Sequence, residues 1–394
     1  MHQTCVYNNL PANQPKPLYS QTYISRYKSE KQNKYKAKMR IIMYDTGLMI
    51  GHFEPLHLGQ IRSILDAAGQ AKTLHIVIMA HPSPHPDFTI TLQDKARWLQ
   101  MACADLPFIH IHTTHEIELP LHEHLYSTSN DVSIDVAASN AKLQRLIDAL
   151  SLSAETVLFM AEDHPLTRND IQEQLLLRVV TTPLQPEFDS YAIARDPVTH
   201  WSAIHPQARV DYTKTVAIVG GESSGKTTLV HKLANYYGAS FALEMGRLYV
   251  GTDLGGSEVG LQYSDYGPIC LDHAEAIREA KANATAPITI VDTDFVTTQA
   301  FCEEYEGRTH PFVAACIDEF RLDHTIMLDN NTPWVDDGMR SLGTPEARGR
   351  FEQRLIDIFA RHDITPHMID QPDYDARYQQ ALLLIEQYIY GKKS

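Results

Sequence analysis

The sequence predicts an α/β protein made of two doubly wound parallel-sheet domains. Three observations lead there. Short apolar runs alternate with helix-period stretches on both sides of the middle of the chain. Between the two halves, Lys214 to Val219 reads as a buried strand that passes through Gly-x-x-x-x-Gly-Lys-Thr into a helix, the P-loop pattern in its proper setting. Roughly 170 residues precede that strand after a polar tail and roughly 180 follow it, each a fitting length for one domain.

The elements follow in order. From Arg26 to Arg40 there are five lysines, two arginines and one acid, without apolar periodicity. Residues 1–38 lack the apolar core of a signal peptide and are expected to be a disordered basic tail, or to precede a start at Met39 or Met43. The first domain is expected over 39–212. Arg40 to Ile50 is its opening strand. It runs into Gly51-His52-Phe53-Glu54-Pro55-Leu56-His57-Leu58-Gly59-Gln60 and a helix with Ile61, Ile64, Leu65 and Ala68 on one face. Leu74 to Met79, Phe108 to His112 and Thr156 to Met160 read as further strands, and Thr91 to Cys103 as a helix. The second domain is expected over 213–394. There Phe241 to Glu244 and Pro287 to Asp292 are apolar strands that each end in an acid.

Composition sets limits. The net charge of −15 argues against general affinity for nucleic acid, while leaving room for local phosphate sites. Five scattered cysteines form no Cys-x-x-Cys pair, which points to a reducing, cytoplasmic setting with neither a zinc site nor a disulfide framework. No apolar run approaches the roughly 20 residues of a membrane span. A homo-oligomer is left open. His110, His112, His115, His122 and His124 crowd a short stretch, but without cysteines or a fixed acid partner they are not expected to bind metal.

The P-loop, Gly220-Gly221-Glu222-Ser223-Ser224-Gly225-Lys226-Thr227-Thr228, carries the clearest chemistry. Gly220 and Gly225 permit a tight backbone whose N–H groups face phosphate oxygens. The following helix presents its positive dipole end to the same phosphates. Lys226 adds a full charge and Thr227 a hydroxyl for Mg2+. ATP with Mg2+ is therefore the expected cofactor.

Two resemblances sharpen the reading. Gly51-x-Phe53-x-Pro55-x-His57-x-Gly59 resembles the phosphate-binding loop of the nucleotidyltransferase superfamily with the His-x-Gly-His motif. Those enzymes join a mononucleotide to ATP at its α-phosphate and release pyrophosphate, a reaction served by positioning and charge rather than by a protein nucleophile. His57 matches the first family histidine, and Gln60 stands in place of the second. The family's later stretch, Ile-Ser-x-Thr-x-Ile-Arg, is matched by Phe188 to Pro197. There Ser190 and Ile193 remain, Tyr191 is read at the threonine position, and the arginine is read as displaced to Arg195. These departures imply slow or absent adenylyl transfer, or a domain that senses NAD or ATP.

Such a domain followed by Gly-Gly-Glu-Ser-Ser-Gly-Lys-Thr resembles the NadR family. Gln262 to Tyr266, Asp292 to Phe301, Tyr305 to Gly307 and Asn331 to Gly343 also look like family stretches. The resemblance implies a ribosylnicotinamide kinase joined to a nicotinamide-mononucleotide adenylyltransferase. Its partners would then be ribosylnicotinamide, nicotinamide mononucleotide and ATP. Many members carry an N-terminal helix-turn-helix module; residues 1–38 lack its two-helix pattern, so no DNA binding is expected. A P-loop kinase for another nucleoside is the alternative.

A nucleoside kinase needs one carboxylate to accept the 5′-hydroxyl proton and others for Mg2+ and the ribose. Asp292, Asp294 and Glu244 are the candidates, with Asp292 and Thr227 on the metal and Arg247 near the substrate. A pyridinium ring invites an aromatic face, for which Tyr305 and Trp334 are candidates. Arg340, with Arg348 and Arg350, falls in a Gly/Pro-punctuated segment that reads as a lid over the γ-phosphate.

Overall fold

Strands β1 (Tyr44–Gly51), β2 (Ala71–Ile78), β3 (Ile109–Thr113), β4 (Val157–Ala161) and β5 (Arg178–Thr182) form one parallel sheet in the order β3-β2-β1-β4-β5. A second parallel sheet holds β6 (Lys214–Gly220), β7 (Ser240–Ala242), β8 (Ile288–Asp292), β9 (His324–Leu328) and β10 (His367–Ile369), in the order β10-β9-β6-β8-β7. The computed structural model describes residues 43–80, 85, 87–115, 136–164, 167, 169–256, 258–333, 342 and 344–391. The tail over 1–38, His122, His124, Trp334 and Arg340 lie outside the described residues.

The central strands carry continuous apolar runs, Leu48 to Ile50 in β1 and Val216 to Val219 in β6, where helices cover both faces. In the first sheet Leu48, Ile50 and Val77 pack with Leu143 and Leu146 on one side. Met49 and Ile76 pack with Trp98 and Leu99 on the other. In the second sheet Val216 and Ile218 meet Leu229, Val230 and Ile385. On the opposite face Ala217 and Val219 share a core with Phe295 and Phe351. Each fully buried Leu, Ile or Phe of this kind contributes roughly 1.5–3 kcal/mol.

Caps set where the helices begin. Thr91 and Asp94 form a reciprocal capping box for Leu92–Ala102. Gly238, at φ 60°, ends the helix Lys226–Tyr237 that starts at the P-loop. Among the described residues no helix is long and apolar enough to cross a membrane.

Residues from Tyr44 onward form one compact unit. Trp201 Nε1 donates to Thr285 O at 3.1 Å, and Ala284 packs into the core of the first sheet. Both sheets change winding direction at a crevice, between β1 and β4 in the first and between β6 and β8 in the second. That is where open parallel sheets bind ligands.

Candidate functional site

The second crevice is built by the P-loop. Gly220 sits at φ 144° and Gly225 at φ 88°, a region closed to most side chains. A Cβ at Gly220 would lie 2.6 Å from Leu328 O, and one at Gly225 2.6 Å from the Tyr374 ring. Lys226 Nζ donates to Gly221 O at 3.0 Å, folding the lysine back across its own loop.

Asp292 ends β8 beside the loop and is 1% exposed. Its Oδ2 accepts from the Thr227 hydroxyl at 2.6 Å, and its Oδ1 has no hydrogen-bond partner among the described residues. A buried carboxylate oxygen left open beside a P-loop hydroxyl is an all-oxygen donor set that suits Mg2+. Burial raises the Asp292 pKa against the opposing pull of Lys226, the Thr227 hydrogen bond and Arg247. Burial likewise raises that of Glu244; Lys226 pulls it down and Asp292 pushes it up.

One cavity is lined by Lys226 and Thr227 of the P-loop together with Glu244, Arg247, Phe301 and Tyr305. Of the expected residues it joins Glu222, Ser223, Gly225, Lys226, Thr227, Thr228, Glu244, Arg247 and Tyr305. Glu244 is reached differently than expected. The strand stops at Ala242, and Glu244 is the N-cap residue of the helix Met245–Asp253. Tyr305 donates to Glu258 Oε2 at 2.8 Å and stacks on Phe301. Glu222 accepts from the Leu342 N–H at 3.1 Å, tying the loop to the segment read as a lid.

Neither Asp292 nor Asp294 is among the residues lining this cavity, and the two take different partners. Asp294 is the N-cap of the helix Phe295–Glu306, accepting from Thr297 N at 2.9 Å and Thr297 Oγ1 at 3.0 Å. The reason lies at Thr293, a β-branched residue held at φ 69°. That turn sends Asp292 toward Thr227 and Asp294 into the next helix. Burial raises the Asp294 pKa to about 6.

Several cavity residues were not among the candidates, Tyr266 and His273 with them. Tyr266 is buried, and His273 is 2% exposed with neither ring nitrogen in hydrogen-bonding geometry among the described residues. The His273 ring lies near the Leu243 and Thr293 carbonyls, and burial lowers its pKa to about 4. A lone histidine inside an amphipathic helix gives no linear signal of such a position.

The first crevice holds Gly51 at the end of β1, Phe53 buried at φ 50°, and His57 at the N-terminus of the helix Leu58–Ala68. His57 Nδ1 accepts from Gln60 N at 3.4 Å, while Gln60 Oε1 accepts from His57 N at 3.1 Å. The Nδ1 acceptor role puts the ring proton on Nε2, which donates to Ser190 Oγ at 2.8 Å. The ring is 3% exposed, and burial lowers its pKa to about 4, so it is neutral at pH 7. Gln60 is thus committed through its oxygen to a capping box.

Ser190, which His57 meets, is the matched serine of the later stretch. Counted from Ser190, the family arginine falls on Arg195 itself and the threonine position on Ala192, which corrects the displaced reading and the assignment to Tyr191. Arg195 lies over the Tyr191 ring. In the histidine-rich stretch, His112 on β3 shares a 3.0 Å hydrogen bond with His75 on β2.

A P-loop leaving the central strand of a parallel sheet, with a buried acid at the end of the adjoining strand, defines a P-loop nucleotide-binding enzyme of the phosphotransferase type. Residues 215–377 match the family model described as AAA domain. The chain is 34% identical over 397 residues to the "Trifunctional NAD biosynthesis/regulator protein NadR" of Salmonella typhimurium strain LT2, covering 94% of this chain and 92% of that protein. It is 36% identical over 357 residues to the protein of the same name from Escherichia coli strain K12, covering 86% of this chain and 82% of that one. The chain belongs to the NadR family. Its fold also matches a crystal structure of NadR protein in complex with NR, with a TM-score of 0.69 at 20% identity over 89% of this chain and 97% of that one. A NadR protein in complex with NAD and AMP-PNP gives 0.65 at 20% identity, over 89% and 98%.

Proposed function

We propose that this chain is a cytoplasmic NAD-salvage enzyme whose residues 213–394 transfer the γ-phosphoryl group of ATP to the 5′-hydroxyl of ribosylnicotinamide. Residues 39–212 form a nucleotidyltransferase-like domain that adenylylates nicotinamide mononucleotide slowly. Its partners are small molecules, and DNA plays no part in the reading.

The observation that carries the kinase half is the cavity that Lys226 and Tyr305 both line. A nucleotide phosphate and a flat cationic ring would both find their chemistry there. The loop amides and Lys226 hold the β- and γ-phosphates. Thr227 and Asp292 would hold Mg2+, which when bound neutralises charge on the phosphate oxygens. Glu244 is the base: burial raises its pKa, making it a stronger proton acceptor for the 5′-hydroxyl. Arg247 steadies the substrate's polar edge, and Tyr305 offers its face to the pyridinium. Solved relatives of this fold are described in complex with NR and with NAD and AMP-PNP, ligands of the same chemical classes.

The first half retains a helix N-terminus at its crevice, but its histidine is a neutral cap and Gln60 replaces a charge-bearing partner. That commitment of Gln60 to the cap also favours a second reading, in which residues 39–212 bind NAD or ATP without turnover.

The test uses the purified full chain with MgATP. Ribosylnicotinamide should yield ADP and nicotinamide mononucleotide far faster than any other nucleoside yields ADP. Pyrophosphate release from nicotinamide mononucleotide should be slow. Equal or faster ADP formation with another nucleoside would overturn the substrate assignment.

A further inference from the structure

The carbonyl groups of the P-loop are held from behind. Gly221 O accepts from Ser224 Oγ at 2.8 Å, and Ser223 O accepts from Thr332 Oγ1 at 2.9 Å. Ser224 O accepts from Arg377 Nη1 at 2.7 Å. Arg377 lies in the first turn of the helix Tyr374–Tyr390, whose N-cap is Asp373. The same guanidinium donates from Nη2 to Asp329 O at 2.8 Å and to Asn331 Oδ1, and from Nε to Gln371 O. One side chain thus joins the phosphate loop, the end of β9 and the turn before the last helix. It is 1% exposed. Among the described residues it makes no ion pair with a carboxylate; carbonyl and amide oxygens receive its N–H groups. The neighbouring Tyr374 ring closes against Gly225.

A trans peptide points its C=O and the next N–H in opposite directions. Fixing Ser224 O toward Arg377 therefore turns the Gly225 N–H toward the cavity, where Gly225 and Lys226 lie. A loop that must otherwise order itself around a phosphate is ordered in advance.

We propose that Arg377 is a positioning residue for phosphoryl transfer, holding the phosphate-binding loop from beneath with its amides aimed at the nucleotide. Thr332 assists from the next segment. The proposal rests on the kinase reading of this loop.

Three variants of the full chain test it: Arg377→Met, Arg377→Lys and Thr332→Val. Each is assayed at a temperature where circular dichroism shows it folded. Arg377→Met should raise the KM for MgATP and lower kcat, each by about 10-fold or more, with the KM for ribosylnicotinamide changed little. Arg377→Lys should recover much of the melting temperature but not kcat, because one ammonium group cannot span Ser224 O and Asp329 O as a fork does. Thr332→Val should shift the MgATP KM in the same direction by less. The rise in melting temperature caused by AMP-PNP should shrink in the same order. A folded Arg377→Met or Arg377→Lys protein with wild-type MgATP KM, kcat and AMP-PNP shift would overturn the proposal, leaving Arg377 a fold-stabilising residue only. If Arg377→Met fails to fold, the other two variants decide. If wild type responds to AMP-PNP but phosphorylates no ribosylnicotinamide, the kinase reading fails, while the melting shifts still judge Arg377.

Discussion

Lys226 bridges back to Gly221 O, so its amine is already poised over the loop that would receive phosphate. Lys226→Ala should cut kinase turnover about 10³-fold through loss of charge on the β- and γ-phosphates. Pyrophosphate release from nicotinamide mononucleotide should be unchanged, because on the proposed reading that ATP site lies in the other crevice. Loss of both activities together would refute two separate sites. Gln60→His tests the first crevice. It exchanges a neutral capping amide for a group able to carry charge, and a charge-assisted hydrogen bond to phosphate is about twice as strong as a neutral one. Adenylyl transfer should rise about 10- to 100-fold, measured as pyrophosphate release at saturating MgATP. No gain would place the defect in the Phe188 to Arg195 stretch. At this scale the P-loop was legible because its residues are contiguous and each does its work locally. Arg377 was not legible: it meets Ser224 across 153 positions, and nothing around it in the chain marks that meeting.

Among the elements, the Asp292-Thr293-Asp294 turn separates two carboxylates that a simple strand alternation would have kept together. The positive φ of Thr293 is invisible to periodicity, so the capping role of Asp294 does not show in the sequence while the strand before it does. As a cap, Asp294 should tolerate asparagine, which caps helices equally well. The folded pKa of about 6 lies above the ordinary 3.8, so between these values the folded state holds the extra proton and stability falls as pH rises. Above pH 6 the penalty is fully present. Asp294→Asn removes it and should stabilise the protein at pH 7.5 by roughly 1–3 kcal/mol, with the gain vanishing near pH 4. Denaturant unfolding at both pH values checks this; an equal change at both, or a loss at pH 7.5, would contradict it. Kinase turnover should stay within several-fold of wild type, whereas loss of turnover in a folded Asp294→Asn protein would return Asp294 to the reaction.

For the molecule as a whole, the two sheets were legible because each central strand carries a continuous apolar run and each crevice motif follows one. The seam between them was not. Trp201, Ala284 and Thr285 meet only because residues 196–213 fold back across both halves. Separating the chain between 212 and 213 should leave each half with a sheet of its own but uncover this seam. The 213–394 fragment should keep kinase activity with a melting temperature several degrees below that of the full chain. A fragment as stable as the full chain would show that the seam contributes nothing.

The contact between Ser224 and Arg377 also bears on how the protein is born. The loop is synthesised well before the helix that backs it, roughly 150 residues earlier. At about 5–20 residues per second, the ribosome takes roughly 8–30 s to cover that gap. Through that interval a nascent chain carries the whole phosphate motif without its support. On the role proposed for Arg377, full-strength nucleotide capture therefore waits until residue 377 has been made, after the first sheet has had time to fold, and a chain cut short before it would hold the motif with a weakened grip.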